Sequence, residues 1–387
     1  MIDRGAKVLM NTYSRFPISL VEGKGMYVTD EHGKEYLDFL AGIAVNVLGH
    51  AHPTLLKAIS DQAGKMIHCS NLYNIPQQTL LAEKLINASA FDKAFFCNSG
   101  TEANEAAIKL ARKWGKIHKN GAYKILALDH SFHGRTIGAL SLTGQKKYQE
   151  SFIPLMPGAD FVPLNDLETL ASSIDKNTCA VIIEPVQGEG GIYPARKNYL
   201  QELRKICNET DTLLIFDEIQ CGLGRTGSLF AYQYYEVEPD IVTLAKALGG
   251  GLPIGAILAK DSAAVFEPGD HASTFGGNPL VTAAALVVLT ELIDNDLVGK
   301  ARKAGSYLQL KLNGLADSLS IIKEVRGVNL MIGIEIDGEA GEVIEKCHQE
   351  GLLIGKAGTN VLRLVPPLIV EEKHIDTCIA TIDRVLH

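Results

Sequence analysis

Residues 212–246, TLLIFDEIQCGLGRTGSLFAYQYYEVEPDIVTLAK, contain two short apolar runs that each end in a charged residue. The first run ends at Asp217 and the second at Lys246, 29 residues later. Both runs are rich in Ile, Leu and Val without regular alternation with polar residues, which is typical of strands covered by helices on both faces. The spacing allows a crossover between parallel strands. We therefore predict an α/β sheet in which Asp217 and Lys246 face one cavity at its carboxyl edge.

The same pattern of helix and short apolar run extends from about residue 80 to residue 246, and it predicts a doubly wound, mostly parallel sheet. Residues 25–42, GMYVTDEHGKEYLDFLAG, predict a hairpin around a His-Gly turn. Long helical periodicity and a few further strands follow residue 279. We predict a large α/β domain of residues 46–278 and a smaller α+β domain that combines residues 1–45 and 279–387.

The composition is that of an ordinary globular protein, with 46% hydrophobic and 21% charged residues. No apolar stretch is long enough to span a bilayer, and a net charge of −8 without a basic cluster argues against nucleic acid as a partner. The seven cysteines form no C-x-x-C pair, which argues against a disulfide framework and a zinc site. The segment MIDRGAKVLMNTYSRFP lacks the features of a signal or transit peptide, so we expect a cytoplasmic protein.

A polar turn, Ser99, Gly100 and Thr101, lies between a predicted strand and a predicted helix in FFCNSGTEANEAAIKLAR (95–112). Backbone N–H groups at a helix N-terminus, together with the two hydroxyls, form a pocket suited to a phosphate. A plain helix cap, with Thr101 satisfying the first turn, explains this stretch better when it is considered alone.

Lys246 and Asp217 each have a commonplace explanation as well. A lysine at a strand end is usually solvated, and an aspartate there often caps a helix or forms a salt bridge. Taken together with the phosphate-sized turn, however, the two residues match the needs of pyridoxal 5′-phosphate. This cofactor requires an amine for a Schiff base, an acid that keeps its pyridine nitrogen protonated, and an anion site.

Over nearly its whole length the chain resembles the fold-type I, class III pyridoxal-phosphate aminotransferases, and within them the acetylornithine aminotransferases. The matching stretches occur in the family's order. They are NTYSRFPI (11–18), GIAVNVLGHAHP (42–53), NSGTEANEAAIKLARK (98–113), SFHGRT (131–136), IIEPVQGEGG (182–191), DEIQCGLGRTG (217–227), LAKALGGGLPIGA (244–256), HASTFGGNPL (271–280) and LRLVPPL (362–368).

The resemblance implies that Lys246 binds the cofactor covalently and then moves a proton from the substrate carbon to the cofactor. It implies that Asp217 keeps the cofactor ring an electron sink, and that Ser99, Gly100 and Thr101 hold the phosphate. The remaining implied cofactor contacts are Phe132 and Ile219 on the two ring faces, Gln220 near the ring hydroxyl, and Thr274 of a second subunit at the phosphate.

The resemblance also implies a set of substrate contacts. Arg135 is expected to bind the substrate carboxylate, with Tyr13 and the partner subunit's Ser273 as further contacts. Glu184 and Arg363 are expected to pair as a switch, closed while an ω-amino donor is bound and open when glutamate needs Arg363 for its α-carboxylate. A purely structural buried ion pair is the alternative.

The implied reaction is ping-pong transamination in a homodimer. The δ-amino group of N2-acetyl-L-ornithine passes to 2-oxoglutarate and gives N-acetyl-L-glutamate 5-semialdehyde and L-glutamate, a step of arginine biosynthesis. Ile43 supports this donor, because ornithine aminotransferases tend to have an aromatic residue there. Succinylornithine, 4-aminobutyrate, ornithine and a carrier-bound lysine are alternative donors within the class.

Two further patterns suggest other functions. GLGRTG (222–227), with Asp240 downstream, has the spacing of a dinucleotide site and would suit a nicotinamide-dependent oxidoreductase, but four residues separate it from the preceding strand. His50 and His52 in GHAHP suggest a metal site, yet no other ligand cluster accompanies them. We therefore predict no metal. Besides another class III aminotransferase and an oxidoreductase, a non-catalytic ligand-binding protein with this fold is a third alternative function.

Overall fold

The computed structural model describes residues 2–387, apart from the side chain of Asp3. Within these residues the chain forms α-helices separated by short strands and loops. The α-helices span Ile2–Val8, Pro53–Ala63, Pro76–Asn87, Gly100–His118, Ile137–Ser141, Lys146–Gln149, Leu167–Ser173, Lys197–Glu209, Ala231–Tyr235, Pro279–Leu289, Leu297–Ser318, Ala340–Gln349 and Glu372–Leu386. Short 3₁₀ segments, Glu150–Phe152 and Lys246–Gly249, and a π segment, Thr290–Asp294, accompany them.

The strands belong to four sheets. They are β1 (Leu20–Lys24), β2 (Tyr27–Asp30), β3 (Glu35–Asp38), β4 (Lys93–Cys97), β5 (Lys124–Leu128), β6 (Ala159–Val162), β7 (Thr178–Ile183), β8 (Val186–Gln187), β9 (Tyr193–Pro194), β10 (Leu213–Asp217), β11 (Ile241–Leu244), β12 (Gly255–Ala259), β13 (Ile322–Val328), β14 (Met331–Ile336), β15 (Leu352–Leu353), β16 (Gly355–Ala357) and β17 (Val361–Leu364).

The largest sheet confirms the predicted mostly parallel, doubly wound architecture. Its seven strands have the order β4-β12-β11-β10-β7-β5-β6. The pairs β11–β10, β10–β7, β7–β5 and β5–β6 are parallel, whereas β12 is antiparallel to both β11 and β4. Asp217 pairs with Thr243 in the register of β10 and β11, so the carboxyl ends of these two strands lie side by side.

Helix Gly100–His118 packs on this sheet through small side chains. The face that sequence periodicity predicted is buried, since Ala103, Ala106, Ala107 and Ala111 are wholly inaccessible to solvent. Small residues on this face let the helix approach the strands closely. The N-terminus of the helix is thereby held at the edge of the sheet where β10 and β11 end.

The two ends of the chain share a sheet of order β1-β2-β3-β15, in which β15 pairs in parallel with β3. Antiparallel β2 and β3 confirm the predicted hairpin within residues 25–42. A third sheet, of order β13-β14-β17-β16, carries Arg363 on β17, and β8 and β9 form the remaining two-stranded sheet. The division into domains at residues 46 and 279 stays a prediction. Among residues 2–387, no helix combines the length and the apolar character needed to cross a membrane.

Candidate active site

A cavity of about 410 Å³ opens at the carboxyl ends of β10 and β11. It brings together ten of the residues that sequence analysis singled out. They are Ser99, Gly100, Thr101, Phe132, Arg135, Glu184, Asp217, Ile219, Gln220 and Lys246. The other four, Tyr13, Ser273, Thr274 and Arg363, are not among the residues that line it.

Lys246 follows β11 and begins the 3₁₀ segment Lys246–Gly249 with a positive φ of 36°. Its side chain is only partly accessible, from the cavity side, so it is not a solvated residue at a strand end. Desolvation lowers the pKa of Lys246 to about 8, although the nearby Glu189 carboxylate opposes this shift. The neutral form of the amine is therefore more populated near physiological pH than in a solvated lysine.

The Asp217 carboxylate is held by a buried hydrogen-bond network. Its Oδ2 atom lies 2.7 Å from Nδ1 of His133 and accepts a 2.8 Å hydrogen bond from Nδ2 of Asn104. Asn104 also donates to the carbonyl oxygen of His133 at 2.6 Å, and the backbone N–H of Ile219 donates to Oδ1 of Asp217 at 3.1 Å. These contacts fix the carboxylate from behind while it faces the cavity.

Sequence analysis missed Asn104 and His133. Both are buried, and His133 lies between Phe132 and Gly134 in a motif that was already quoted. Asn104 interrupts the alanine face of its helix, and a polar residue in a face of small apolar residues needs a buried partner. That interruption was the available signal.

The polar turn before helix Gly100–His118 has the geometry of a cap, but with a different residue from the one expected. Ser99 is the N-cap residue, and its Oγ accepts a 3.3 Å hydrogen bond from the backbone N–H of Glu102. The Thr101 hydroxyl instead lies 2.9 Å from the hydroxyl of Thr136. At Gly100 a Cβ atom would lie 2.8 Å from Cδ1 of Ile219, so the glycine permits Ile219 to pack against the turn.

The predicted pair of Glu184 and Arg363 is wrong. The Glu184 carboxylate accepts hydrogen bonds from the backbone N–H groups of Phe132, at 2.8 Å, and Gly188, at 3.0 Å. Burial raises the pKa of Glu184 to about 7 despite the opposing effect of His133. Glu184 lies directly after β7 and joins two loops through these hydrogen bonds, and among the described residues it forms no hydrogen bond or ion pair with Arg363.

Arg363 instead forms an ion pair with Glu189, which lies five residues after Glu184 in the sequence. Its Nη1 atom also lies 3.4 Å from Oε1 of Gln220, which lines the cavity. Burial raises the pKa of Glu189, but the Arg363 guanidinium outweighs this and the net shift is downward. A buried arginine on β17 predicts a carboxylate partner, yet the sequence offers two glutamates and does not distinguish them.

The other predicted substrate contacts lie nearer to solvent. Arg135 is exposed, and its guanidinium carbon lies 4.0 Å from the centroid of the Tyr148 ring. Tyr13 is 69% exposed. Oγ of Ser273 accepts a 3.0 Å hydrogen bond from Nδ2 of Asn98, and Thr274 is exposed beside it. Their substrate and cofactor roles remain predictions.

The GLGRTG loop is occupied by internal packing. Arg225 is almost wholly buried and donates from Nη1 to the carbonyl oxygens of Leu330, at 3.1 Å, and Pro366, at 2.5 Å. The carboxylate of Asp240 accepts hydrogen bonds from Arg204 and from the backbone N–H of Leu214, both at 2.7 Å. The two features that suggested a dinucleotide site therefore serve the packing of the chain.

The sequence profile described as aminotransferase class-III matches residues 8–386. An acetylornithine aminotransferase from Caldanaerobacter subterraneus subsp. tengcongensis is 53% identical over 100% of this chain and 99% of the relative. An acetylornithine aminotransferase from Clostridium acetobutylicum is 51% identical over 97% of this chain and 98% of the relative.

Solved structures agree with this assignment. An ornithine aminotransferase from Toxoplasma gondii has a TM-score of 0.96 at 32% identity, over 100% of this chain and 94% of that one. Another structure of the ornithine aminotransferase from this organism is described as having partial occupancy of PLP at its active site. An acetylornithine aminotransferase from Elizabethkingia anophelis has a TM-score of 0.88 at 32% identity, over 100% of this chain and 97% of that one. The cavity, its lysine and these likenesses have one explanation, which is that the chain belongs to the class-III aminotransferase family.

Proposed function

We propose that the protein is a pyridoxal-phosphate-dependent aminotransferase that moves the δ-amino group of N2-acetyl-L-ornithine to 2-oxoglutarate. The observation that carries this proposal is the full-length identity of 53% with an acetylornithine aminotransferase, in a chain whose cavity is lined by both a partly accessible lysine and an aspartate. The products are N-acetyl-L-glutamate 5-semialdehyde and L-glutamate, which places the reaction in arginine biosynthesis.

The residues of the cavity fit the cofactor. Asp217 presents a carboxylate that no lysine or arginine among residues 2–387 neutralises, as a partner for a protonated ring nitrogen requires. The turn formed by Ser99, Gly100 and Thr101 lies at the N-terminus of a 19-residue helix, where backbone N–H groups and the helix dipole favour a phosphate. Ile219 packs against this turn.

When bound, the cofactor supplies an electron sink for the charge that develops on the substrate carbon. The chain's own residues hold and move the protons. Nζ of Lys246 has a pKa of about 8, so it can take a proton in its neutral form and return it in its charged form near neutral pH. Asp217, held by Asn104 and His133, would present its carboxylate to the ring nitrogen of the bound cofactor.

Two arginines provide sites for carboxylates. Arg135 is exposed at the cavity and has a planar guanidinium that can pair with both oxygens of the donor carboxylate. Arg363 is buried and held by Glu189, so a dicarboxylic acceptor must displace Glu189 before Arg363 binds its α-carboxylate. We assign the role of the switch to Glu189, and we infer that Glu184 positions the backbone of Phe132.

The remaining elements of the proposal concern assembly. We propose a cytoplasmic homodimer in which Thr274 and Ser273 of one subunit reach the phosphate and the substrate of the other, and in which Tyr13 contacts substrate. Support comes from the position of Thr274, which is exposed and lies outside the lining of the cavity within its own chain. Sedimentation equilibrium measures the oligomeric state, and a turnover assay at the same protein concentration measures activity. A monomer that turns over at the full rate would contradict this assembly.

A substrate panel tests the proposed donor. Purified protein loaded with pyridoxal phosphate is assayed with N-acetylornithine, succinylornithine, ornithine, 4-aminobutyrate and a carrier-bound lysine, each with 2-oxoglutarate. We expect the highest kcat/KM for N-acetylornithine. A higher value for another donor would overturn the substrate assignment, and binding of NAD by colourless protein would overturn the enzyme class.

A further inference from the structure

The segment between β3 and helix Pro53–Ala63 contains a left-handed turn. Ala41, Gly42, Ile43 and Ala44 have φ values of 51°, 63°, 68° and 61°. Three of these residues have a Cβ atom that opposes this conformation, and Ile43 is β-branched, which makes the conformation least favourable there. Four consecutive residues in this region are held in place only when their surroundings determine them strongly.

Asp38 supplies the contacts that hold the turn at its start. This residue ends β3 and is buried. Its Oδ1 atom accepts hydrogen bonds from the backbone N–H groups of Leu40, at 2.9 Å, and Ala41, at 2.8 Å. Oδ2 lies 2.8 Å from Nε2 of His50 on the far side of the turn. A single carboxylate therefore joins the beginning of the turn to His50, six residues after its end.

His50 is in turn fixed to the same sheet. Its backbone N–H donates to the carbonyl oxygen of Gly25 at 2.9 Å, and the backbone N–H of Gly25 donates to the carbonyl oxygen of His50 at 2.8 Å. At Gly23 a Cβ atom would lie 2.8 Å from the His50 side chain, so the glycine permits this close approach. The GHAHP motif that suggested a metal site thus contains a histidine that anchors the turn through Asp38.

The turn leads directly into the wall of the active site. Val45 lines the cavity that contains Lys246. The Asn46 side-chain oxygen lies 3.1 Å from the Cβ position of Gly251, which also lines the cavity. Ile43, two residues before Val45, is partly exposed. The backbone path of residues 41–44 consequently determines the position of Val45 and Asn46 in the cavity wall.

We propose that Asp38 is a positioning residue that determines donor specificity by holding the left-handed turn, and with it Val45, against the substrate cavity. This inference rests on the proposed function, since it concerns how that site selects its amino donor. Asp38 does not line the cavity, so it acts through the turn and not by touching the substrate.

Asp30 offers a matched control on the neighbouring strand. It is also buried, and its Oδ1 accepts hydrogen bonds from the backbone N–H groups of His32, at 2.9 Å, and Lys34, at 3.0 Å, while Oδ2 accepts one from the Tyr36 hydroxyl at 3.0 Å. Loss of this carboxylate removes a similar set of contacts from a turn that does not line the cavity.

The experiment compares Asp38→Ala, Asp38→Asn and Asp30→Ala in the cofactor-loaded enzyme. For each variant we measure Tm, kcat and KM with N-acetylornithine and with ornithine. We expect Asp38→Ala to change the ratio of the two kcat/KM values at least tenfold, mainly through KM. Asp38→Asn should keep the ratio within about twofold of wild type, because an amide oxygen still accepts from Leu40 and Ala41. Asp30→Ala should lower Tm and leave the ratio unchanged.

Equal ratios in wild type, Asp38→Ala and Asp30→Ala would overturn the proposal and leave Asp38 a purely structural role. If Asp38→Ala does not fold, Asp38→Ser is measured in its place, because the shorter side chain keeps a polar group at this position but cannot join Leu40 and Ala41 to His50. An altered ratio in that variant supports the proposal, and an unaltered ratio overturns it. If wild type proves inactive on N-acetylornithine, the proposed donor is wrong, and the same ratio is taken between the two best donors of the panel.

Discussion

The two sides of the active site differ in how completely one chain builds them. The inner wall, which we define as Asn104, His133, Asp217 and Lys246, is enclosed by the large sheet and helix Gly100–His118, and its carboxylate is held by three hydrogen bonds or close polar contacts. The outer rim, Tyr13, Arg135, Ser273 and Thr274, is partly or largely exposed, and most of it lies outside the cavity lining.

The difference shows which chemistry a single chain can complete. Proton transfer and stabilisation of a charged ring need fixed groups in a desolvated pocket, and the proposed function assigns these tasks to the inner wall. Substrate carboxylates arrive from solvent, and the rim that would bind them lacks enclosing contacts within one chain. The predictions below test this division, in decreasing order of expected effect.

Loss of Lys246 is expected to have the largest effect. Lys246→Ala should reduce kcat at least about 10⁴-fold, because the variant loses both the covalent attachment of the cofactor and the group that moves the proton. Lys260→Ala is the control, since Lys260 follows β12 on the same sheet and pairs only with Glu238, at 3.4 Å, among the described residues. Steady-state turnover over many equivalents distinguishes the two variants, and sustained turnover by Lys246→Ala would contradict the assignment.

Removal of the charge at Asp217 is expected to have the next largest effect. Asp217→Asn keeps the size of the side chain but cannot hold a ring nitrogen in its protonated state, so kcat should fall about 10²- to 10³-fold. Asp240→Asn changes a partly buried carboxylate directly before β11, which lies outside the cavity lining, and should lower Tm without this loss of kcat. Equal kcat values in the two variants would show that the inner wall does not act through charge.

The burial of Lys246 predicts a specific dependence of stability on pH in the cofactor-free protein. The unfolded chain keeps the lysine proton up to about pH 10.5, whereas the folded protein releases it near pH 8. The unfolded state thus binds more protons between these values, and the free energy of unfolding increases as the pH rises through this window.

Lys246→Met lacks this group and isolates its contribution. We expect the variant to be more stable than wild type by about 3 kcal/mol at pH 7, with the difference shrinking between pH 8 and 10.5. Denaturant unfolding of both proteins at several pH values measures it. A difference that does not change with pH would mean that Lys246 is solvated in the folded protein.

The smallest expected effect separates Glu189 from Glu184. Glu189→Gln weakens the ion pair with Arg363, so this arginine becomes free to bind the carboxylate of the donor in an unproductive orientation. We expect kcat/KM for N-acetylornithine to fall about tenfold, or about 1.4 kcal/mol, with little change for 2-oxoglutarate. Glu184→Gln should affect both substrates alike, because Glu184 contacts only backbone groups of Phe132 and Gly188 among the described residues. The opposite pattern would restore Glu184 as the switch.

The sequence was sufficient to predict the elements with a strong local pattern. The strands that contain Asp217 and precede Lys246 are short apolar runs, and the alanine face of helix Gly100–His118 is buried as its spacing indicated. β6 and β12 were missed although they are as long as β11 and β10, because β6 (ADFV) contains a charged residue and β12 (GAILA) directly follows a glycine-rich stretch that is typical of a turn. No sequence pattern indicated that β12 runs antiparallel to its neighbours.

The position of a site residue was predictable where the sequence offers only one place or one partner for its charged group. Lys246 and Asp217 follow from the ends of adjacent strands. The partner of Arg363 does not follow, since a buried guanidinium accepts either Glu184 or Glu189, and only the path of the chain after β7 decides between them. The left-handed turn also escapes prediction, because it depends on a contact between Asp38 and His50 and not on the residues of the turn itself.

The central claim is that Lys246 is the amine to which the cofactor is attached. Protein reconstituted with pyridoxal phosphate is reduced with borohydride, digested and analysed by mass spectrometry. The account predicts a phosphopyridoxyl group on the peptide that contains Lys246, at close to one per chain. The same group on another lysine, or no modified peptide from fully loaded protein, would contradict it.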